Sequence, residues 1–501
     1  MIAQARAATL SGIDALPVDV EVDIQGYPVK FVLVGLPDKA VQESAERVYT
    51  AIRNSELVFP SNRVVCNLAP GDIRKEGPAL DLPIAVAVLA ASGQIPSGSF
   101  DDTVFMGELG LDGALRHVDG SVNVSLMCRN MGVSRLIVPQ KNAAEAAISD
   151  GVEVFGMKSL LDVVELLNGS TDFKPFEHAL AASIKRPEYD VDYADVKGQK
   201  HGIRVLEIAA AGGHNVLMVG PPGSGKTMLA RRLPTILPLL ELDESIEVTR
   251  IYSAAGEKSG REGLIWERPF QSPHHTSSYA AIVGGGKHPK PGQISLAHNG
   301  VLFLDEMPEF NREVLEALRQ PLEDGVITVA RVEASMTFPA DTILIGAMNP
   351  CPCGYKGYPE EKCVGAAACE RYAGKISGPL LDRIDLHISV PRLKPEELTD
   401  KPTGEASEVI RERVSAARQR QYKRLGGQRI NAKMTPSETR EIIAMDDECM
   451  EFMKLVSAKM ALSARVFDRM LKVARTIADL AGDEQVRKDH LSEAVQYRVT
   501  G

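Results

Sequence analysis

Between residues 215 and 233 the sequence runs NVLMVGPPGSGKTMLARRL, an apolar strand pattern, a glycine-rich loop and a helical pattern. The loop residues Gly220, Pro221, Pro222, Gly223, Ser224, Gly225, Lys226 and Thr227 keep the G-x-x-x-x-G-K-T spacing of a phosphate cradle. Glycines let successive backbone N–H groups curl around phosphate oxygens, and the start of the following helix adds partial positive charge. Lys226 is placed to bridge the β- and γ-phosphates, and Thr227 to put its hydroxyl on Mg²⁺. Further on, GVLFLDE (300–306) is a buried-type strand that ends in two acids. Asp305 suits the magnesium ion and Glu306 suits the polarisation of an attacking water. A third apolar strand, TILIGAMNP (342–350), ends in Asn349, a neutral group able to orient that water or the γ-phosphate. Each piece alone has a bland explanation: a turn, a buried strand, a turn-forming asparagine. In this order they describe a site for hydrolysing a nucleoside triphosphate.

Other residues offer separate chemistry. Of seven cysteines, four fall together as Cys351, Cys353, Cys363 and Cys369. Four thiolates can close a tetrahedral zinc site and pin a polar loop; four reduced loop cysteines are the alternative. His274 and His275 are adjacent, so their side chains are expected to diverge, as structural loop residues or DNA contacts rather than metal ligands. The stretch 411–429 holds seven Lys/Arg and one acid. It reads equally as a solvated helix face or as a DNA-facing or inter-subunit surface, because DNA affinity comes largely from phosphate neutralisation. The glycine-rich 284–293 segment, with Lys287 and Lys290, suits a phosphate-gripping pore loop or an ordinary surface turn.

The elements that must carry these groups are legible in the hydrophobic periodicity. Alternating patterns at 17–36 and 63–68, a helical stripe at 39–55, an apolar helix at 82–92, a strand at 104–109, a helix near 121–131 and a strand at 135–139 form a first α/β domain, residues 1–168. A mixed stretch without period, 169–192, reads as a linker. Strands and helices alternate over 193–395, the rhythm of a parallel sheet covered by helices. Residues 396–501 are helical, punctuated by Pro436 and by Gly482 with Asp483. The 501 residues carry a net charge of −10, which excludes a general cationic coat for nucleic acid. No apolar run is long enough to span a membrane, and the opening residues lack the layout of a secretion signal, so a cytoplasmic location is expected.

The three strand-end motifs, together with DVKGQ (195–199), the long string 268–306, MNPCPCG (348–354) and ISGPLLDRIDLHI (376–388), resemble the ComM/YifB family of magnesium-chelatase-like AAA+ ATPases. The resemblance implies an N-terminal Lon-protease-like domain of α+β type, a P-loop AAA+ core with parallel sheet and helix-2 insert, a C-terminal helical lid, and hexameric rings using ATP and Mg²⁺. It implies that Arg383 acts as a finger on a neighbour's γ-phosphate, and that Arg465 or Arg469 is the lid's sensor. In the Lon-like domain, Ala79 stands where a protease has its serine and Arg116 where it has its lysine. Alanine offers no nucleophile and arginine keeps its proton, so a scaffold or a DNA- or partner-binding domain is expected. Three functions follow: a hexameric motor that migrates DNA branches during uptake and recombination, a chelatase-type ATPase that remodels a protein partner, and a regulatory module that binds nucleotide and DNA without translocating.

Overall fold

The computed structural model describes all residues except 1, 97, 178–186, 258–262, 287–288, 331–334, 355–362, 364, 394–403, 461 and 499–501. Contacts divide the chain into two compact units: Met1–Lys185 with Ser245–Ile265, and Arg186–Glu244 with Trp266–Gly501. The excursion 245–265 lies at the middle of the sequence, between two segments of the second unit, yet it gathers with the first unit. Ser253 Oγ accepts the Gly120 N–H at 3.0 Å, and Arg250 pairs with Asp14 at 2.9 Å.

The first unit is built on a seven-stranded mixed sheet with the order Lys30–Val34, Arg63–Ala69, Asp14–Gln25, Ile2–Ser11, Thr103–Phe105, Arg135–Pro139, Glu153–Met157. Asp81–Ala91 is buried at every position, as a helix without a polar face must be. Its single acid, Asp81, is held by Arg47 through Nε at 2.7 Å and Nη2 at 3.0 Å. That two-pronged bond offsets the cost of burying the carboxylate. The strand Ile2–Ser11 is not expected from the sequence. Its inward positions include Ala5 and Ala7, which fit a close-packed sheet yet give no strand signal. Ala79 is half-buried, and Arg116 is a largely exposed residue paired with Glu108 at 3.6 Å.

The second unit has a five-stranded sheet with the order Phe270–Gln271, Val301–Leu304, Ile343–Met348, Val216–Val219, Leu386–Ser389, every neighbouring pair parallel. The Asn349 strand therefore lies between the strand that feeds the glycine loop and the strand that ends in Asp305. Val301–Leu304 and Ile343–Met348 are buried throughout, as strands covered on both faces are. Between the second and third strands of this unit, two short helices, Tyr279–Val283 and Gln293–Leu296, flank a small hairpin in which Gly284–Gly285 pairs with Lys290–Pro291. Helices follow the sheet, among them Ser407–Leu425, Pro436–Ile442, Asp447–Met460, Ala464–Ala481 and Lys488–Gln496. Pro436 takes the first helical position behind a Thr435–Glu438 capping box, and Gly482 closes its helix at φ 84°, so both act as the sequence suggests. Val473, Ala474 and Ile477 share one buried cluster with Val205, Ala209 and the sheet residues Val216 and Met218. No helix among the described residues is long and apolar enough to cross a membrane.

Candidate active site

The glycine loop leaves the C-terminal end of Val216–Val219 and turns into a helix that begins at Lys226. Gly220 is pressed so closely on the end of the adjacent edge strand that a Cβ there would sit 2.2 Å from the Val390 carbonyl oxygen. Gly223 and Gly225 hold left-handed backbone, at φ 74° and 91°, which other residues reach only with strain. Lys226 is almost wholly buried, and its Nζ donates to the carbonyls of Gly220 at 2.7 Å and Pro221 at 3.0 Å and to Asn349 Oδ1 at 3.3 Å. Burial lowers its pKa, and the charges of Asp305 and Glu306 oppose that shift. Thr227 Oγ1 donates to Asp305 Oδ2 at 2.7 Å, and the other carboxylate oxygen accepts the Glu306 N–H at 2.9 Å. The structure thus brings together Lys226, Thr227, Asp305, Glu306 and Asn349 from three adjacent strand ends.

Two groups here are missed by sequence reasoning. Glu306 itself sits at φ 51°, uncommon for a residue with a side chain, and its carboxylate lies 3.5 Å from His275 Nδ1. His274 and His275 do not diverge: their rings lie 4.2 Å apart at 31°. The loop after Phe270–Gln271 folds both toward the acidic strand end, a tertiary effect that spacing along the chain cannot show. Gln199, also left-handed at φ 50°, donates from Nε2 to Ser224 O at 3.2 Å and Pro391 O at 2.8 Å, which braces the loop against the edge strand. Only its place in the DVKGQ string marks it in the sequence.

The arginines lie at the other end of the sheet. Val216 pairs with Leu386 and Val219 with Ser389, so Arg383 precedes its strand at the edge opposite the glycine loop. Four residues of strand at about 3.3 Å each separate the two edges by roughly 13 Å. Arg383 is buried rather than projecting: it pairs with Glu323 at 2.6 Å and donates to Pro379 O at 2.7 Å. Arg465, half-exposed, reaches the same Glu323 carboxylate at 3.2 Å. Burial raises the Glu323 pKa, but the two guanidiniums and Arg469 outweigh it and hold the carboxyl below its usual range. Arg469 pairs with Asp385 and donates to Arg383 O at 2.7 Å. Glu323, Asp385, Arg465 and Arg469 edge a polar cavity of about 440 Å³ that also meets Arg429, Lys433 and Lys472.

Asp385 anchors this edge. Burial works against its charge, yet Arg469 and His214, whose Nδ1 lies at 3.1 Å, hold it well below the usual carboxylate range. A depressed folded pKa gives stability that is present above the unfolded value of about 3.9 and lost as pH falls below it. Asp385→Asn should lower stability at neutral pH by about 3 kcal/mol, since it leaves a buried guanidinium uncompensated. The thermal midpoint of the variant should also fall less than that of wild type between pH 5 and pH 3. Equal pH dependence of the two midpoints would contradict the assignment.

The remaining expected sites fare differently. The four cysteine sulfurs gather, with Sγ separations of 3.2 Å for 351–353, 3.8 Å for 353–363, 3.9 Å for 351–363 and 3.4 Å for 363–369. Sγ atoms of Cys351, Cys363 and Cys369 all lie within 4.8 Å of one another. The basic run 411–429 is not a free cationic face: Arg411, Arg413, Arg418, Arg420, Arg424 and Arg429 each bond within the chain. Arg418 is buried against Ala210 O and Arg424 grips buried Asp479 at 2.7 Å. The run is basic because it fastens the helices, a use that composition cannot separate from DNA binding. Lys290 is an exposed residue of the small hairpin, and Lys287 lies outside the described residues.

Three family models match the chain: "Magnesium chelatase, subunit ChlI" over residues 192–398, "Subunit ChlI of Mg-chelatase" over 20–142 and "Magnesium chelatase, subunit ChlI C-terminal" over 404–498. YifB of Salmonella typhimurium is 42% identical over 499 residues, 99% of this chain and 96% of that protein. The competence protein ComM of Haemophilus influenzae is 42% identical over 491 residues, 97% of this chain and 95% of that protein. Lon protease 2 of Bacillus subtilis is 30% identical over 140 residues, 26% of this chain and 25% of the protease.

Proposed function

We propose that this chain, which belongs to the ComM/YifB family of magnesium-chelatase-like AAA+ ATPases, is an ATP-driven motor that moves branched DNA in uptake or recombination. Membership makes it an ATPase of the AAA+ type with ATP and Mg²⁺ as cofactors. The observation that carries the further reading is the division of the hydrolytic machinery between the two edges of one sheet. Lys226, Thr227, Asp305, Glu306 and Asn349 meet at one edge, while Arg383 and Arg465 are held together by Glu323 at the other. Such a chain completes its site when the arginine edge of one copy meets the phosphate edge of the next, which closes a ring, proposed as a hexamer. The name of the Haemophilus relative, a competence protein, supports DNA as the substrate of that ring. The small hairpin that carries Lys290 is the candidate DNA-gripping element.

Thr227 and Asp305 offer hard oxygen donors side by side, the donor set that Mg²⁺ takes. When bound, the ion screens the charge of the β- and γ-phosphates. Lys226 binds phosphate, Glu306 draws the proton from the attacking water, and Asn349 fixes where that water stands. Arg383, released from Glu323, stabilises charge on the transferred group of the neighbour. Hydrolysis measured with and without a four-way DNA junction tests the reading. Stimulation by the junction supports it; stimulation by a protein partner alone would favour the chelatase-type ATPase.

The cysteine cluster is proposed to hold zinc. Four sulfurs at about 2.3 Å from one ion stand about 3.8 Å apart, and the separations observed here bracket that value. A hydrogen bond with the Cys363 thiol, with burial, pushes the Cys369 thiol up to about 11. Purified protein should carry about one zinc per chain, and Cys351→Ser should lower that content. Zinc-free protein with full junction-dependent activity would remove the metal from the account.

A further inference from the structure

The segments that carry the cysteines also reach Asn349, the glycine loop and the turn after Glu306. Cys351 is fully buried two positions after Asn349, whose Oδ1 accepts from Lys226. Gly354, whose N–H closes a turn onto Cys351 O at 3.0 Å, packs on the glycine loop so tightly that a Cβ would lie 2.4 Å from Pro222 Cδ. Cys369 lies on the helix Ala366–Ala373 with Tyr372 one turn further on. The Tyr372 side chain is buried near the backbone of Asn349, in the electrostatic field of Glu306 and Glu309. Just past that helix, Lys375 Nζ grips both Glu309 oxygens at 2.9 Å, and Glu309 belongs to the short turn of helix that Glu306 begins. One cluster of thiols thus connects to the Asn349 backbone, to Pro222 and to the segment after Glu306.

We propose that a divalent metal held by Cys351, Cys353, Cys363 and Cys369 sets the position of Asn349 and of the glycine loop, so that occupancy of the cysteine site controls ATP binding and turnover. The proposal rests on the metal reading above. The chemistry fits a soft, redox-inert cation, since four sulfur donors select zinc over the magnesium that the oxygen donors take. Without the metal, Cys351 and Cys369 lose their common tie. The turn 351–354 and the helix carrying Tyr372 can then shift independently, and the groups that meet the phosphates shift with them. Tyr372 is a positioning residue: it acts on the nucleotide through Asn349.

The test uses the full chain in excess Mg²⁺. Zinc content, affinity for a non-hydrolysable ATP analogue, and amide hydrogen exchange of residues 220–227 and 349–354 are measured before and after treatment with a zinc-selective chelator under reducing conditions. Removal of zinc should weaken analogue binding about tenfold and speed exchange in both segments, and added zinc should restore both. Tyr372→Phe should keep its zinc, its thermal midpoint and its affinity for the analogue and lower kcat several-fold, and the unchanged midpoint separates this from a loss of folded protein. Unchanged affinity and exchange after complete zinc removal would overturn the coupling while leaving the metal site intact. A chain that carries no zinc and takes up none when it is added would overturn the metal reading, and the coupling with it.

Discussion

Lys226→Ala should abolish detectable nucleotide binding, whereas Glu306→Gln should bind ATP as wild type does and lose hydrolysis by at least about a hundredfold. The difference follows from what each group touches. The Lys226 ammonium is buried beside the carbonyls of Gly220 and Pro221, where phosphate oxygens are its natural partners and no other cation in the loop can replace it. Glu306 stands beyond Thr227 and Asp305, the pair proposed to hold Mg²⁺, and glutamine keeps its size while removing the proposed base. Analogue binding by fluorescence and phosphate release separate the two variants. Equal hydrolysis rates for wild type and Glu306→Gln would contradict the assignment.

Mixed rings should show a second large effect. Arg383→Ala should retain ATP binding and lose hydrolysis, because its guanidinium lies at the edge opposite its own glycine loop. Combining Arg383→Ala chains with Lys226→Ala chains should then regain part of the activity that neither has alone. Some boundaries in such a mixture pair an intact phosphate loop with an intact arginine. A finger acting within its own chain predicts no rescue at any ratio, and rescue should fail under conditions where sizing shows only monomers. The pairing of buried Arg383 with Glu323 adds a detail that sequence could not supply: a finger at Arg383 must leave Glu323 to reach a phosphate. Glu323→Gln should therefore weaken the hold on Arg383 and Arg465 without touching nucleotide affinity.

The phosphate edge was legible because its chemistry is local. Glycines, Lys226 and Thr227 follow one another along eight positions, and Asp305 and Asn349 each close an apolar strand, so spacing alone names them. What the sequence withholds is long-range. Glu323 lies 60 positions before Arg383 and more than twice that before Arg465, and nothing near it marks a shared carboxylate. His275 meets Glu306 only because the second and third strands of the sheet run side by side. Ile2–Ser11 hides its strand character in alanines, and the helix Leu242–Ala255 passes from one unit into the other without a break. The basic run is open in the sequence for the same reason: its charge is visible there, but the carboxylates and carbonyls that its arginines meet are not.

The most direct test of the motor is movement of a DNA branch. A labelled four-way junction with homologous arms is mixed with the protein and Mg²⁺, and conversion to branch-migrated products is followed with ATP, with a non-hydrolysable analogue, and with Glu306→Gln. The account predicts products only for wild type with ATP, with Arg383→Ala inactive alone and partly active when mixed with Lys226→Ala. Wild-type protein that hydrolyses ATP at a rate indifferent to the junction and leaves the branch where it began would contradict it.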